Sequence, residues 1–364
     1  MPRTQKIISL IKELVTIRST NSRKEQLLQC ADFLAAFFSG TSLTVERFLH
    51  NEIPSLFISK HGNKHPRVLL YGHFDVVDGN DAQFEVQEKD GKLFGRGVFD
   101  MKGPLAILML IMKELADTPD DVGLMLVGDE EIGGVFGAEY LLQQNYGGDV
   151  IIMPDGGMAI HQFTNKEKGI LRFKLTAHGK AAHSSVAWKG DSAIDKLIAT
   201  IDKIHALFVP LSEHPEDHWV KTFSVGELHG GVAYNQVPDS AYACCEVRFT
   251  EQDVPEEFIE KVKSLLPPDI DFYLDLYCPA NDVDSESELY KKFVACVEDI
   301  GRATVFRPAH GSSDARYFSG KGMRVVIISQ PDGGDHHGPE EWVDIGALTL
   351  YDRVVRKYID EVAK

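Results

Sequence analysis

Short apolar runs, each followed by charged residues or histidine, recur along the chain and give the first view of its fold. Continuous runs of this kind predict strands that helices cover on both faces of a sheet. Stretches with helical spacing lie between them, and Pro104 opens one such helix near its first turn. Strands and helices in alternation predict an α/β layer architecture. The apolar runs occupy residues 68–72, 124–128, 150–154 and 324–328.

The pattern changes after residue 170, where residues 171–177 alternate between apolar and polar positions as half-buried strands do. The order from there is strand, helix, strand, strand, helix, strand, which is the ferredoxin-like split-βαβ arrangement. We therefore predict a main α/β domain of residues 1–168 and 280–364, interrupted by an α+β domain of residues 169–279. The elements predicted after the first inserted strand are a helix over 192–207, strands over 222–227 and 241–250, a helix over 254–266, a strand over 270–276, and a final helix over 344–362.

Composition restricts the partners of the chain. The 364 residues carry 38 basic and 55 acidic side chains, a net charge of -17, which argues against nucleic acid and weakly against lipid surfaces. No stretch approaches the ~18 apolar residues of a membrane span, and the amphipathic N-terminal stretch lacks signal-peptide features. Five cysteines form no CxxC pair, which favours a reducing compartment and predicts a cytoplasmic protein whose cysteines act as small apolar residues.

The candidate catalytic and metal-binding residues lie just past the apolar runs. In open α/β sheets, ligands bind at the carboxyl ends of the strands, so residues that follow separate strands meet at one edge. Imidazole and carboxylate groups collected in this way are ligands for paired divalent metal ions. The sequence therefore predicts a hydrolase with two metals. The residues in question are His73 and Asp75 after the first run, Glu130 and Glu131 after the second, Asp155 after the third, and His337 a short way past the fourth.

Individual residue types suggest individual tasks within such a site. Asp75 follows His73 by two positions, so it would orient the imidazole from the same strand face. Asp100 lies in a glycine-punctuated loop, residues 95–103, which lets the backbone approach a ligand closely. In the Glu130-Glu131 pair, one carboxylate can bind metal while the other moves protons, provided that positive charge lies near.

The chain resembles the di-zinc aminoacylase and exopeptidase family that includes acetylornithine deacetylase, succinyl-diaminopimelate desuccinylase and carboxypeptidase G. The matching stretches run in family order over nearly the whole chain, so together they are specific although each is short. They are Gly-His-Phe-Asp at 72–75, the loop 95–103, Gly-Asp-Glu-Glu at 128–131, Gly-Lys-Ala-Ala-His-Ser at 179–184, Asn-Gln-Val-Pro at 235–238, Gly-Ser-Ser-Asp at 311–314 and His-Gly-Pro-Glu-Glu at 337–341.

This resemblance implies a metal centre and its ligands. Two zinc ions are expected, with cobalt as the alternative. His73 and Asp155 would hold one ion, Glu131 and His337 the other, and Asp100 would bridge them, with His336 competing for the place of His337. Glu130 would act as the general base. The family also has a cis peptide bond after the bridging aspartate, which implies one between Asp100 and Met101.

The resemblance further implies a zinc-exopeptidase-like, three-layer catalytic domain whose inserted domain serves as a lid and forms a homodimer. His183 would then reach the scissile carbonyl across the dimer, in the active site of the partner subunit. Asn235 and Arg248 would contact the substrate carboxylate, and Gly311 and Ser312 would belong to the same substrate site.

The expected reaction is hydrolysis of the amide bond of a small N-acyl amino acid, by a hydroxide shared between the metals with Glu130 as base. A dipeptidase or carboxypeptidase stays open, since Glu167 stands where the desuccinylases carry a basic residue. A catalytically silent ligand-binding or scaffold homologue is the alternative of another class, although no expected ligand or base is missing. Residues 214–218 imitate a zinc-binding helix imperfectly, so an exposed loop is expected there.

Overall fold

The computed structural model describes residues 1–210 and 218–364, and these form two compact units. Unit 1 contains Met1–Asn165, Asp282–Ala309 and Ser313–Lys364, and unit 2 contains Lys166–Asn281 and His310–Ser312. The domain boundaries given above stay a prediction. The loop expected over residues 214–218 lies outside the described residues except for His218.

The elements alternate along unit 1 as the apolar runs predicted. The α-helices are α1 (Arg3–Thr16), α2 (Lys24–Phe37), α3 (Lys102–Glu114), α4 (Tyr140–Gln143), α5 (Ala193–His205), α6 (Pro255–Leu265), α7 (Glu288–Glu298), α8 (Ala315–Gly320) and α9 (Ile345–Val362). The strands are β1 (Thr44–His50), β2 (Ile53–Ser59), β3 (Val68–His73), β4 (Gln87–Lys89), β5 (Lys92–Phe94), β6 (Val122–Val127), β7 (Val150–Met153), β8 (Gln162–Glu167), β9 (Gly169–His178), β10 (Ala182–His183), β11 (Thr222–Gly230), β12 (Gln236–Val237), β13 (Ser240–Phe249), β14 (Ile270–Cys278), β15 (Asn281–Asp282), β16 (Val305–Ala309), β17 (Val326–Ile328), β18 (Gly333–Gly334) and β19 (Trp342–Asp344).

The main sheet of unit 1 has the strand order β1-β2-β6-β3-β7-β17-β8. Strands β6, β3, β7 and β17 run parallel to one another, and β1 and β2 complete one side in antiparallel pairing. Every residue of β2, β3, β6, β7 and β17 is buried, which is the burial that a sheet covered by helices on both faces shows. The carboxyl ends of the four parallel strands therefore meet at one edge.

Helices of unit 1 bury amphipathic faces on one another and on this sheet. In α1, Ile7, Ile11 and Leu14 recur at helical spacing on the buried face, and the helix packs against α3 and α9. Helix α3 also contacts β3 and β6, and is buried nearly all round. Helix α3 begins at Lys102, two residues after Asp100, and Asp100 lies beside His73 at the carboxyl end of β3.

Unit 2 is an antiparallel sheet in the order β11-β13-β9-β14, with α5 and α6 against one face. Burial alternates along β9 and β13, so that one face forms a core with the two helices and the other face carries polar side chains. Ser192 caps α5 by accepting a hydrogen bond from the backbone N–H of Asp195. The element order and strand order confirm the predicted ferredoxin-like arrangement.

The cysteines and the helices of the described residues agree with the predictions made from composition. All five cysteines are free thiols, and four of them are buried, as expected of cysteines used as apolar residues. Within residues 1–210 and 218–364, the helices are each too short or too polar to cross a membrane.

Candidate metal centre

The carboxyl edge of the main sheet collects the acidic and histidine residues of unit 1. Strand β3 ends at His73 itself, and a 3-10 turn over Glu130–Ile132 follows β6. Asp155 comes two residues after β7 ends, and His337 follows β17 by way of the short strand β18. The fold thus brings residues from four strands to one place because these strands are parallel neighbours.

Two groups of possible ligands share Asp100. One potential ligand atom from each of His73, Asp100 and Asp155 lies within 4.8 Å of the others, and the same holds for Asp100, Glu131 and His337. Asp100 turns Oδ1 toward Nε2 of His73 at 3.0 Å and Oδ2 toward Nε2 of His337 at 3.1 Å. Nε2 of His337 also lies 3.0 Å from Oε2 of Glu131. It is His337, and not the neighbouring His336, that joins the second group.

The contacts of His73 are those of a residue that can hold a metal ion. Nδ1 of His73 lies 3.0 Å from the backbone carbonyl oxygen of Asp75, so Nδ1 carries the proton that is donated there. Nε2 lies 3.0 Å from Oδ1 of Asp100. Burial lowers the pKa of His73, but hydrogen bonds to Asp100 and Asp75 raise it well above its ordinary value, so a positive charge is favoured at this contact. A metal ion would supply that charge in place of the proton on Nε2, which is the arrangement of a metal-ligating histidine held by a carbonyl.

The electrostatics of the second group lead to the same conclusion. Hydrogen bonds to Asp100 and Glu131 raise the pKa of His337 to about 10. Burial raises the pKa of Glu131, and its Oε1 is buried without a hydrogen-bond partner in the described part of the chain. Carboxylates crowded in this way remain ionised only with positive charge close by, and divalent ions would supply it. The donor set of two imidazoles and three carboxylates suits borderline ions such as zinc or cobalt.

The carboxylate of Glu130 lies beside the two ligand groups and belongs to neither of them. It is half-buried, and its side chain makes no hydrogen bond or ion pair with the described residues. Burial and the nearby Asp155 carboxylate raise the pKa of Glu130. A partly dehydrated carboxyl group with a raised pKa is suited to receiving and returning a proton.

Asp75 makes different contacts from those expected. Strand β3 ends at His73, so the two residues do not share a strand face. It is the carbonyl of Asp75 that holds the imidazole, whereas its carboxylate Oδ1 lies 3.5 Å from Nδ1. That carboxylate instead accepts hydrogen bonds from the backbone N–H groups of Glu130 and Glu131 and from the side chain of Asn21.

Residues that sequence reasoning left without a role support the turn after Glu131. The carbonyl of Gly133 accepts hydrogen bonds from Nη2 of Arg316 at 2.7 Å and from the Tyr317 hydroxyl at 2.6 Å. The hydroxyl of Tyr71 donates to the buried carboxylate of Asp314. The signal was present in the Gly-Ser-Ser-Asp stretch and the charged residues that follow it, but nothing local indicated which turn they support.

The residues predicted to contact substrate belong to unit 2. The short ribbon of β10 and β12 pairs His183 with Gln236, and the carbonyl of Asn235 accepts a hydrogen bond from the N–H of Ser184 at 2.9 Å. His183 and Asn235 therefore line one shallow depression of about 310 Å³. Nδ1 of the exposed His183 accepts a hydrogen bond from the backbone N–H of Ser185 at 3.2 Å, which leaves Nε2 as the protonated nitrogen.

Arg248 lies on the polar face of the unit 2 sheet. Its Nε donates to Oε1 of Glu246 at 2.7 Å, and Nε of Arg172 donates to Oε2 of the same carboxylate at 2.7 Å. Gly311 is exposed with open space around it, and Ser312 beside it is half-buried.

Glu167 does not face solvent as a residue that meets a charged substrate group would. It is buried, and its Oε2 accepts a hydrogen bond from Nδ2 of Asn281 at 2.8 Å.

Comparison with known proteins gives the family. The model of peptidase family M20/M25/M40 matches residues 69–361. A probable succinyl-diaminopimelate desuccinylase of Staphylococcus aureus is 28% identical over 368 residues, covering 88% of this chain and 90% of that protein. A tripeptidase structure from Staphylococcus aureus has a TM-score of 0.81 at 19% identity, covering 100% of this chain and 99% of that one. An M20 family metallo-carboxypeptidase from Sulfolobus solfataricus has a TM-score of 0.79 at 18% identity, covering 99% of each chain.

Fold and sequence together define a hydrolase of the metallopeptidase and amidohydrolase class. The chain belongs to peptidase family M20/M25/M40, since the family match spans most of its length. The family resemblance, the fold class and the enzyme class predicted from the sequence are confirmed. The roles of individual site residues, the substrate and the metal stay predictions.

Proposed function

We propose that this protein is a two-metal amidohydrolase that cleaves the amide bond of a small N-acyl amino acid, of the deacetylase or desuccinylase kind. The observation that carries the proposal is the sharing of Asp100 between two ligand groups, with the carboxylate of Glu130 left unengaged beside them. The desuccinylase name of a relative that spans most of this chain supports the substrate class.

Five residues would hold the metals. His73 and Asp155 are assigned to one ion, Glu131 and His337 to the other, and Asp100 to both. Zinc is the proposed ion, with cobalt as a substitute. When bound, two such ions lower the pKa of a water molecule toward ~7 and polarise the substrate carbonyl.

Glu130 is assigned the proton transfers. Its raised pKa, caused by burial and by Asp155, allows the carboxylate to accept a proton from the attacking water. The same carboxyl group then returns the proton to the nitrogen of the leaving amine. The Asp75 carboxylate accepts hydrogen bonds from the backbone of Glu130 and Glu131, and so fixes the positions of the proposed base and a proposed ligand relative to each other.

The substrate contacts are assigned to unit 2. His183 has its proton on Nε2, and would donate it in a hydrogen bond to the carbonyl oxygen as negative charge develops there. Asn235 and Arg248 would bind the substrate carboxylate, with Gly311 and Ser312 beside them. Arg248 uses its Nε on Glu246, which leaves the two terminal nitrogens for a bidentate contact.

The surrounding organisation is proposed along with the chemistry. Residues 1–168 and 280–364 would form the catalytic domain, and residues 169–279 would form the lid and the homodimer contact. The free cysteines support a cytoplasmic location.

Peptide cleavage is the second candidate function. The buried position of Glu167, with Asn281 as its partner, provides no reason to expect a second substrate carboxylate at this point in the chain. Glu167 therefore gives no support to a succinyl group, and dipeptides and tripeptides stay candidate substrates beside N-acyl amino acids.

One experiment tests these assignments together. The protein is stripped with chelator, reloaded with zinc or cobalt, and assayed against N-acetyl amino acids, N-succinyl amino acids, dipeptides and tripeptides. We expect metal-dependent release of a free amino acid from one class, and none from the Glu130→Gln variant. If the reloaded protein binds two equivalents of metal and cleaves none of these compounds, the catalytic proposal fails and the ligand-binding or scaffold alternative replaces it.

A further inference from the structure

Arg96 and Glu341 form a buried ion pair that joins two distant stretches of unit 1. Nη1 of Arg96 lies 2.7 Å from Oε2 of Glu341, and both side chains are almost completely shielded from solvent. Strand β5 pairs with β19 in a small separate sheet, and just beyond this pairing the N–H of Gly95 donates to the carbonyl of Glu341. The backbone register therefore directs Glu341 at the loop that carries Asp100.

Glu341 organises that loop through its backbone. Oε2 accepts a hydrogen bond from the N–H of Gly97 at 3.0 Å, and Oε1 accepts from the N–H groups of Phe99 at 3.0 Å and Asp100 at 3.1 Å. Three backbone donors and one guanidinium thus satisfy a single buried carboxylate. These bonds determine where the main chain of Asp100 lies.

Arg96 holds the second stretch, which carries His337. Its Nη2 donates to the carbonyl oxygens of His337 at 3.0 Å and Gly338 at 3.1 Å. His337 has a φ of 62°, in the left-handed region that residues with a Cβ rarely adopt, so its conformation needs support from outside the turn. Gln83 also donates to the carbonyl of Gly338, at 3.0 Å, but the carbonyl of His337 has Arg96 as its donor.

We propose that Arg96 and Glu341 are positioning residues for the metal centre, and that Arg96 acts selectively on the metal position formed by Asp100, Glu131 and His337. The inference rests on the proposed function for the identity of the ligands. It adds that the two metal positions depend on different parts of the chain, so that one can be weakened while the other is kept.

The selectivity follows from what supports the other position. His73 is held by the carbonyl of Asp75 and by its place at the end of β3, and Asp155 follows β7. Among the described residues, the ring nitrogens of His73 contact Asp75 and Asp100, and not Arg96. Loss of the Arg96 contacts therefore frees the turn of His337 and leaves His73 and Asp155 in place. Glu341 acts through Asp100, which belongs to both groups, so its replacement is expected to affect both positions.

Arg96→Lys is the decisive variant. Lysine keeps a positive charge beside Glu341, but a single ammonium cannot reproduce the planar fork that reaches Glu341, His337 and Gly338 together. We expect the first equivalent of Co²⁺ to bind the metal-free variant as it binds the wild type, and the second to bind 10- to 100-fold more weakly. Titration is followed by competition with a chromophoric chelator and by the visible cobalt spectrum, neither of which depends on turnover.

Two further variants complete the design. Arg47→Lys is the matched control, because Arg47 is an exposed arginine paired with Asp32, and it should bind both equivalents normally. His337→Ala should reproduce the cobalt titration of Arg96→Lys. If Arg96→Lys does not fold, Glu341→Gln is titrated instead, and there both equivalents should weaken.

The outcomes separate this inference from the proposed function. Normal binding of both equivalents by Arg96→Lys, or equal weakening of both, overturns the selective role of Arg96. For Glu341→Gln, normal binding of both equivalents overturns the positioning role of the pair. If the wild-type protein itself fails to bind two equivalents, the metal centre is wrong and both proposals fall.

Discussion

Oδ1 of Asp75 accepts a hydrogen bond from the backbone N–H of Glu130 at 3.2 Å, and this contact connects the residues just after β3 to the turn that follows β6. The second oxygen, Oδ2, accepts from the N–H of Glu131 at 3.1 Å. One carboxylate thereby holds consecutive residues, of which the first is the proposed base and the second a proposed ligand.

Replacement of Asp75 by asparagine should lower kcat by tenfold or more. The amide has one acceptor oxygen in place of two, so one of the two backbone N–H groups loses its charged partner, a loss of ~1.5–3 kcal/mol. Steady-state kinetics on the variant, together with its metal content, measure the effect. Asp78→Asn is the control, because exposed Asp78 accepts a hydrogen bond only from Ser22 among the described residues. Equal kcat values for the two variants would refute the role given to Asp75.

Glu130→Gln should lower kcat by ~10²–10⁴-fold while both equivalents of metal remain bound. The amide cannot accept the proton, yet the side chain is not placed among the ligands. Kinetics and elemental analysis of the same preparation test both halves of this expectation. Glu139→Gln serves as the control, because Glu139 contacts only Gln143 through its side chain in the described chain. Loss of metal along with activity would make Glu130 a ligand rather than a base.

Removal of metal should abolish activity and lower the unfolding temperature. Ions that bind only the native protein stabilise it by about 2.7 kcal/mol for each site when the free ion is a hundredfold above its Kd. Differential scanning calorimetry with and without chelator measures the change. Zinc or cobalt should restore both properties, whereas magnesium should not, because two of the proposed ligands are imidazoles. Full restoration by magnesium would contradict the donor set proposed here.

Much of the fold was predictable because most strands and helices carry a recognisable pattern of apolar residues within their own sequence. The apolar run at residues 124–128 became β6, and the alternating residues of the insert became β9. The helix predicted over 192–207 is observed as Ala193–His205, and Ser192 is its cap. Differences of one or two residues at such ends arise because caps, not periodicity, decide where a helix begins.

The candidate site was less predictable, because contacts between distant residues decide it. Proximity in sequence suggested that the Asp75 carboxylate serves His73, whereas it serves a turn 55 residues further on. Arg96 and Glu341 are 245 positions apart, and no local pattern indicates that they meet. Parallel strand order explains which residues reach the site edge, but only the folded chain shows which carboxylates are ligands and which support the backbone.

Glu246→Gln should raise KM for substrates that carry a free carboxylate by about tenfold or less, and Arg248→Ala should raise it more. Glu246 binds Nε of Arg248 and of Arg172, so a neutral amide would hold both guanidinium groups more weakly. Substrates whose carboxylate is blocked as an amide should be insensitive to either change. Glu227→Gln is the control, since exposed Glu227 lies in the same surface depression as Glu246. Equal effects on free and blocked substrates would remove Arg248 from the carboxylate site.

Gly134 allows the turn after Glu131 to pack directly on Asp314. Its φ is 67°, and a Cβ built on it would lie 2.0 Å from Oδ1 of Asp314. Gly40 has a similar φ of 77°, with open space around it. A comparison of alanine variants at these two glycines therefore separates backbone strain from steric overlap.

Gly134→Ala should therefore destabilise the protein more than Gly40→Ala, with the left-handed backbone costing ~1–2 kcal/mol in each and overpacking adding ~1–3 kcal/mol only in the first. Urea unfolding of the metal-free proteins gives the two values. Because the shifted turn begins at Glu130, kcat should fall in Gly134→Ala and stay unchanged in Gly40→Ala. Equal stability of the two variants would mean that the Asp314 side chain moves aside at no cost. The packing of this turn against Asp314 would then not fix the position of the proposed base.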